Sequence, residues 1–292
     1  MGHRLQNDLL TLHIDLPEEN YQQSRFDWTG KITQATYKGI SLLGSELGKD
    51  STADHGRGLY NEFGFKQPLG FDEIAEGDWF HKIGVGLLQK DTPQYEFLKP
   101  LAIRPARFEV IAEATQLTIT CRADSCNGYA YVLKKTITLV ENGWVIGYLL
   151  QNTGEKTIIT NEYTHNFLSI CGTATDSSLQ LSFPFDIKPD TFDETINPEN
   201  LVDIRARDIR FLGQPSAPFF FSYMGGPDPV PAQWTLEHKK VGVVLSEKGD
   251  FRTRNVCLWG AGHVISPELF INIRLPPRQS THWTREYGVF EL

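Results

Sequence analysis

Residues 130–170 read AYVLKKTITLVENGWVIGYLLQNTGEKTIITNEYTHNFLSI, and this stretch decides the fold. Ala130 to Val140 reads as a strand, with polar and apolar side chains alternating through Thr136-Ile137-Thr138-Leu139. A period of two puts the apolar set on one face of a pleated strand. Glu141-Asn142-Gly143 follows, and Asn-Gly accepts the positive φ of a tight hairpin turn. Trp144 to Gln151 reads as the return strand, Asn152-Thr153-Gly154-Glu155 as a second turn, and Lys156 to Leu168 as a third strand. Just upstream, Leu117, Ile119 and Cys121 alternate with Thr and Arg. The expectation is an antiparallel meander with short turns.

Outward from there the pattern repeats. Ile32–Tyr37, Arg107–Ala112, Val241–Ser246, Asn255–Trp259, Leu269–Leu275 and Thr281–Val289 read as further strands. Between Pro184 and Phe221 the chain is polar and reads as loop. Pro227-Asp228-Pro229-Val230-Pro231 reads as a rigid extended segment with no place in a central strand. No helix of three turns with an apolar stripe, no repeat and no linker is found. The reading is all-β: one large antiparallel β-sandwich domain over residues 1–292.

The chain has 292 residues, 40% of them hydrophobic, enough for a substantial core. Its formal net charge is −8 and its cations are scattered. Binding to a phosphate backbone draws on clustered cations, so nucleic acid is not an expected partner. No run of about twenty apolar residues offers a membrane span. The opening MGHRLQNDLL has no apolar signal segment, and a cytoplasmic protein is expected. Cys121, Cys126, Cys171 and Cys257 lack zinc or redox spacing and read as free thiols, with a Cys121–Cys126 bridge as the alternative. No metal or nucleotide motif appears, so neither a metal nor a cofactor is expected. Gly-x-Ser-x-Gly is absent too, against an α/β-hydrolase.

Four segments carry candidate chemistry. Asn161-Glu162-Tyr163-Thr164-His165-Asn166-Phe167 places a histidine, able to give or take a proton near neutrality, at a strand end. Gly77-Asp78-Trp79-Phe80-His81-Lys82 sets His and Lys beside an aromatic pair. Gly56-Arg57-Gly58-Leu59-Tyr60-Asn61-Glu62 offers polar groups suited to ligand hydroxyls. In His263-Val264-Ile265-Ser266-Pro267-Glu268, a bend at Pro267 is expected to aim Glu268.

The order of these motifs resembles the aldose 1-epimerase (galactose mutarotase-like) superfamily. Thr157 to Ser169 looks like the segment where those enzymes carry an Asn, then an invariant His, then an aromatic and Asn-Leu. The Glu-Asn-Gly and Gln-Asn-Thr-Gly-Glu turns precede it as in that family. His81-Lys82 resembles its first histidine region, Arg57 and Asn61 fall near its Arg/Asn ligand pair, and Leu275-Pro276-Pro277 with Trp283 to Phe290 resembles its closing strands. The family's general base corresponds to Trp259 here, and Glu268 is the nearest carboxylate.

The resemblance implies a supersandwich that interconverts sugar anomers without metal or cofactor. His165 would be the acid and Glu268 the base on opposite sides of a pyranose, with His81 assisting. Arg57, Asn61, Glu62, Lys82 and Tyr163 would hold hydroxyls, and Trp79 or Trp259 would stack on the ring. Arg57 and Lys82 would favour an anionic sugar. Two alternatives stand beside this: a non-catalytic sugar-binding protein on the same scaffold, and a polysaccharide lyase using Tyr163, His165 and Arg57. A hydrolase needs two opposed carboxylates, and no such pair is evident.

Overall fold

The computed structural model describes residues 2–292. The three strands of the deciding stretch form at Tyr131–Val140, Gly143–Asn152 and Ile158–Asn166. The first two pair along their whole length, from Tyr131–Asn152 to Val140–Gly143. The third does not continue the meander. It crosses to the facing sheet and lies between Leu59–Phe63 and Ile271–Leu275. Asn152 pins this crossing. Its side-chain amide donates to the Lys156 and Leu275 carbonyls, both at 2.8 Å, and its Oδ1 accepts from Gly154 N at 3.0 Å. Alternation marks a strand but does not name its neighbour, so this jump was hidden.

Two large antiparallel sheets result. The ten-stranded sheet runs from Val202–Ile204 through Asp208–Phe211, Leu179–Ser182, Val230–His238, Val243–Thr253, Ser280–Glu291, Gly143–Asn152, Tyr131–Val140 and Gln116–Arg122 to Arg107–Ala112. The seven-stranded sheet is His3–Gln6, Leu10–Asp15, Lys31–Tyr37, Leu59–Phe63, Ile158–Asn166 and Ile271–Leu275, with Ile40–Ser41 beside Lys31–Tyr37. Leu12, Ile14, Ile32, Leu59 and Ile158 share one buried core with Leu117, Leu133, Ile137, Ile146 and Leu150 from the opposite sheet.

The middle of this sandwich is charged. Arg285 binds Glu162 at 2.7 Å and Glu247 at 2.6 Å, all fully buried. Asn166 bridges Glu247 and the Tyr287 hydroxyl, and Lys135 reaches Asn61 and Asp27. Burial pushes the Glu247 carboxyl up and the Lys135 ammonium down, the direction in which each loses charge.

Two smaller sheets lie on the other side of the seven-stranded sheet. Thr195–Ile196, Phe219–Phe221, Val256–Ala261 and Val264–Leu269 form one, joined to the end of Ile158–Asn166 by the bridge Leu168–Ile265. Trp79–Lys82, Gly86–Gln89 and Ile103–Pro105 form the other.

Several expectations change here. The segment from Pro184 to Phe221 is not all loop: it holds four strands of two to four residues, too short to show a period. Val230–His238 lies inside the ten-stranded sheet and includes Pro231. It is tolerated because Pro231 sits at the strand start, beside a register shift and beyond the reach of Leu179–Ser182, which pairs only from Thr235 onward. Pro267 makes no bend, but lies within Val264–Leu269 at the outer edge of the four-stranded sheet.

Among the described residues the helical turns are four short 3-10 segments, and all four cysteines are free thiols. No described helix is long and apolar enough to cross a membrane.

Candidate active site

Strand alternation sorts the histidine strand into two faces. Glu162, Thr164 and Asn166 point into the sandwich, toward Arg285, Asn61 and Glu247. Asn161, Tyr163 and His165 point the other way and line a cavity of about 530 Å³. Leu59–Phe63, paired with it so that Glu62 opposes Tyr163, splits in the same fashion. Asn61 turns inward to Glu162 and Thr164, while Glu62 turns outward to Tyr163, Arg25 and Lys82.

The opposite wall comes from the four-stranded sheet. Cys257 and Trp259 lie one residue apart on one face of Val256–Ala261. The next strand brings Ser266 opposite Trp259 and Glu268 opposite Cys257. The two walls meet where His165 Nε2 lies 3.3 Å from Glu268 Oε1. His165 is 4% exposed and Glu268 5%. The imidazole stacks on Phe167 at 4.0 Å between ring centres and takes the Trp259 ring edge-on at 5.3 Å. Ser266 Oγ donates to Glu268 Oε1 at 3.2 Å and accepts from Asn166 N, so the carboxylate is aimed by its own strand.

Burial sets the protonation of this pair. Desolvation, helped by the Arg25 charge, holds His165 well below its ordinary value. Desolvation also pushes Glu268 up to about 8; Arg25 and the Ser266 hydrogen bond oppose it, and Glu62 adds to it. At neutral pH the pair therefore holds one proton: a neutral imidazole faces a carboxylic acid. His165 Nδ1 has no hydrogen-bond partner among the described residues, the kind of unsatisfied buried group that marks functional sites.

Beside the pair, Arg25 donates to Glu62 at 3.1 Å, Glu46 at 3.4 Å and the Tyr163 hydroxyl at 3.4 Å, its guanidinium lying 4.4 Å from the Phe26 ring centre and 4.9 Å from that of Phe97. Tyr163 donates to Glu62 at 2.8 Å and stacks on Phe270 at 4.4 Å.

Of the residues singled out in the sequence, the structure brings His165, Glu268, Tyr163 and Trp259 together around the cavity. Glu62 and Lys82 lie just behind it, with Lys82 bound to Glu62 at 2.9 Å and to the Tyr95 hydroxyl at 3.2 Å. The other four lie elsewhere. His81 is buried against the Tyr131 ring with Nε2 on the Tyr129 carbonyl at 3.1 Å, and burial lowers its pKa to about 4. Trp79 is covered by the Arg104 guanidinium, and Arg57 is tied to the Thr52 carbonyl. Asn61 belongs to the sandwich interior. His81, Trp79, Arg57 and Asn61 therefore do not line this cavity, and Lys82 is already neutralised by Glu62.

Arg25 and Ser266 were missed as site residues. Arg25 lies in a loop without periodicity, and its only sequence signal is the neighbouring Phe26. No cluster of three or more His, Cys, Asp or Glu placed to hold a metal occurs among the described residues.

No known sequence-family profile matches the chain, nor does any curated protein. Solved structures do. A candidate aldose 1-epimerase from Escherichia coli K12 matches with TM-score 0.64 at 14% identity, over 100% of this chain and 99% of the other. A galactose mutarotase-like protein from Clostridium acetobutylicum matches with TM-score 0.61 at 12% identity, over 99% and 95%. The GalM/aldose epimerase homologue from C. elegans gives 0.52 at 12% identity, over 100% and 99%. The chain thus has the all-β, multi-sheet galactose mutarotase-like fold, shared along its full length with aldose 1-epimerase homologues.

Proposed function

We propose that this galactose mutarotase-like protein is an aldose 1-epimerase-type enzyme that interconverts sugar anomers. The observation that carries this reading is the 3.3 Å contact between His165 Nε2 and Glu268 Oε1 in the wall of a cavity flanked by the Trp259, Tyr163 and Phe270 rings. Flat aromatic faces suit the C–H faces of a pyranose.

The chemistry differs from the sequence expectation in two respects. His165 and Glu268 do not stand on opposite sides of a ring; they adjoin where the two walls meet. The anomeric oxygen and the ring oxygen are both bonded to C1, so one adjacent pair serves both. The resting protonation also reverses the expected roles. Neutral His165 takes the proton of the anomeric hydroxyl. The O1–H electrons form the C1–O1 double bond, the bond from C1 to the ring oxygen breaks, and that oxygen takes the proton of Glu268. Rotation about C1–C2 and closure on the other face, with each proton moving back, completes the exchange. No net proton is gained or lost.

The test is anomer exchange followed by NMR on a panel of aldoses. His165→Ala and Glu268→Gln are expected to lower the enzyme-dependent rate by on the order of 10²–10⁴-fold each, the usual worth of a positioned acid or base. Saturable sugar binding with no exchange above the buffer rate would favour a binding protein on the same scaffold. The lyase alternative loses its carboxylate neutraliser, because Arg57 does not line the cavity.

A further inference from the structure

We infer that the sugar this site takes carries an uncharged apolar substituent, which leaves the cavity between Leu98, Ile196 and Tyr223. The inference rests on the epimerase reading of the His165–Glu268 pair and concerns what lies beyond the reacting ring. Size is the first observation. A hexose of about twelve heavy atoms occupies on the order of 200 Å³ at organic packing density. The cavity holds about 530 Å³, so one ring at the pair leaves more than half of it unfilled.

The second observation is the chemistry of the unfilled part. The floor is buried and includes His165, Glu268 and Tyr163, whereas the mouth presents Leu98 at 68%, Ile196 at 43% and Tyr223 at 42% exposure. Large apolar side chains gathered at a cavity mouth mark a binding surface, whereas scattered ones do not. Aliphatic Leu98 and Ile196 have nothing to offer the hydroxyls of a second sugar.

The third is strain. Tyr223 sits at φ +55°, in the left-handed region that costs a non-glycine residue roughly 1–2 kcal/mol. That backbone conformation is kept where the side chain lines the mouth.

Charge weighs against an anionic substituent. Arg25 is already engaged by Glu62 and Glu46, and the mouth carries Asp193 and Glu194 against Lys66. Direction follows from the neighbouring cavity of about 340 Å³, which shares Arg25, Glu46, Phe97 and Leu98 but continues among Gln23, Asp54 and His55. An apolar group finds its partners on the Ile196–Tyr223 side.

The experiment compares D-glucose, maltose, 6-O-octanoyl-D-glucose, 6-O-benzoyl-D-glucose and glucose 6-phosphate as substrates for anomer exchange. An acyl or an aryl ester is expected to exceed glucose at least tenfold in kcat/KM, and the better of the two identifies the substituent as a chain or a ring. Leu98→Asp and Ile196→Asp are expected to collapse that ratio toward one. Equal rates for glucose and both esters, or preference for maltose or the phosphate, would overturn the inference. Binding of the same compounds to His165→Ala, read by tryptophan fluorescence, separates the two proposals. Ester affinity tenfold above glucose without exchange in the unmutated protein sinks the epimerase reading alone; equal affinities sink the substituent.

Discussion

At the scale of single residues, desolvation sets the electrostatics of the candidate site. His165 and Glu268 are both buried, and the same desolvation pushes the imidazole down and the carboxyl up. A protonated Glu268 beside a neutral His165 is the result, and the pH dependence follows from it. With Glu268 titrating at about 8, the pair keeps its proton through neutrality and loses it above that value. The rate of anomer exchange is expected to be flat between pH 6 and 7 and to fall as pH rises through 8, approaching tenfold per unit for loss of one proton. A rate that climbs through pH 8 would show instead that the carboxylate starts as the base. The sequence offered both residues as candidates by type, and the family resemblance, with Glu268 as the carboxylate nearest to Trp259, joined them as a pair. It assigned their charge states the other way round, since burial depends on what packs around a side chain.

At the scale of elements, period two is the organising fact. It sends His165 and Tyr163 to the cavity while sending Glu162 and Asn166 to the sandwich, one strand serving both. It also separates Asn61 from Glu62, which looked like a ligand pair as chain neighbours. Alternation was legible in the sequence, and so were the strands of the deciding stretch. Which face met a cavity was not, because that depends on a strand far along the chain. The short strands between Pro184 and Phe221 escaped notice because two to four residues hold no period.

The entry to Leu59–Phe63 depends on Gly58, at φ +62°, where a Cβ would overlap the Ile32 carbonyl oxygen. Gly58→Ala is expected to cost at least about 2 kcal/mol, from left-handed strain plus the displaced strand. A shift of the urea midpoint measures it; an unchanged midpoint would show that the strand relaxes freely.

At the scale of the whole molecule, a charged layer joins the two large sheets. Glu162 from the seven-stranded sheet and Arg285 and Glu247 from the ten-stranded sheet form one buried group, with the Trp283 indole donating to Glu162 at 3.2 Å. Buried ions of this kind add little net stability when paired, but removing one partner strands the other. Glu162→Gln is expected to destabilise the fold by about 3 kcal/mol or more. Urea unfolding of the variant checks this, and a loss under about 1 kcal/mol would mean that Glu247 alone satisfies Arg285.

By itself the sequence determined the all-β class, the strands with a readable period, and the titratable residue types that its candidate segments carry. Those are local properties, written in alternation and side-chain chemistry. The tertiary structure alone decided that the third strand of the meander changes sheets, that His81 and Arg57 stay out of the cavity, and that Arg25 enters it. It also decided that His165 and Glu268, about a hundred residues apart in the chain, are buried side by side, which lowers the one pKa and raises the other. Contact and dielectric arise only when distant segments pack, and no window of sequence contains them.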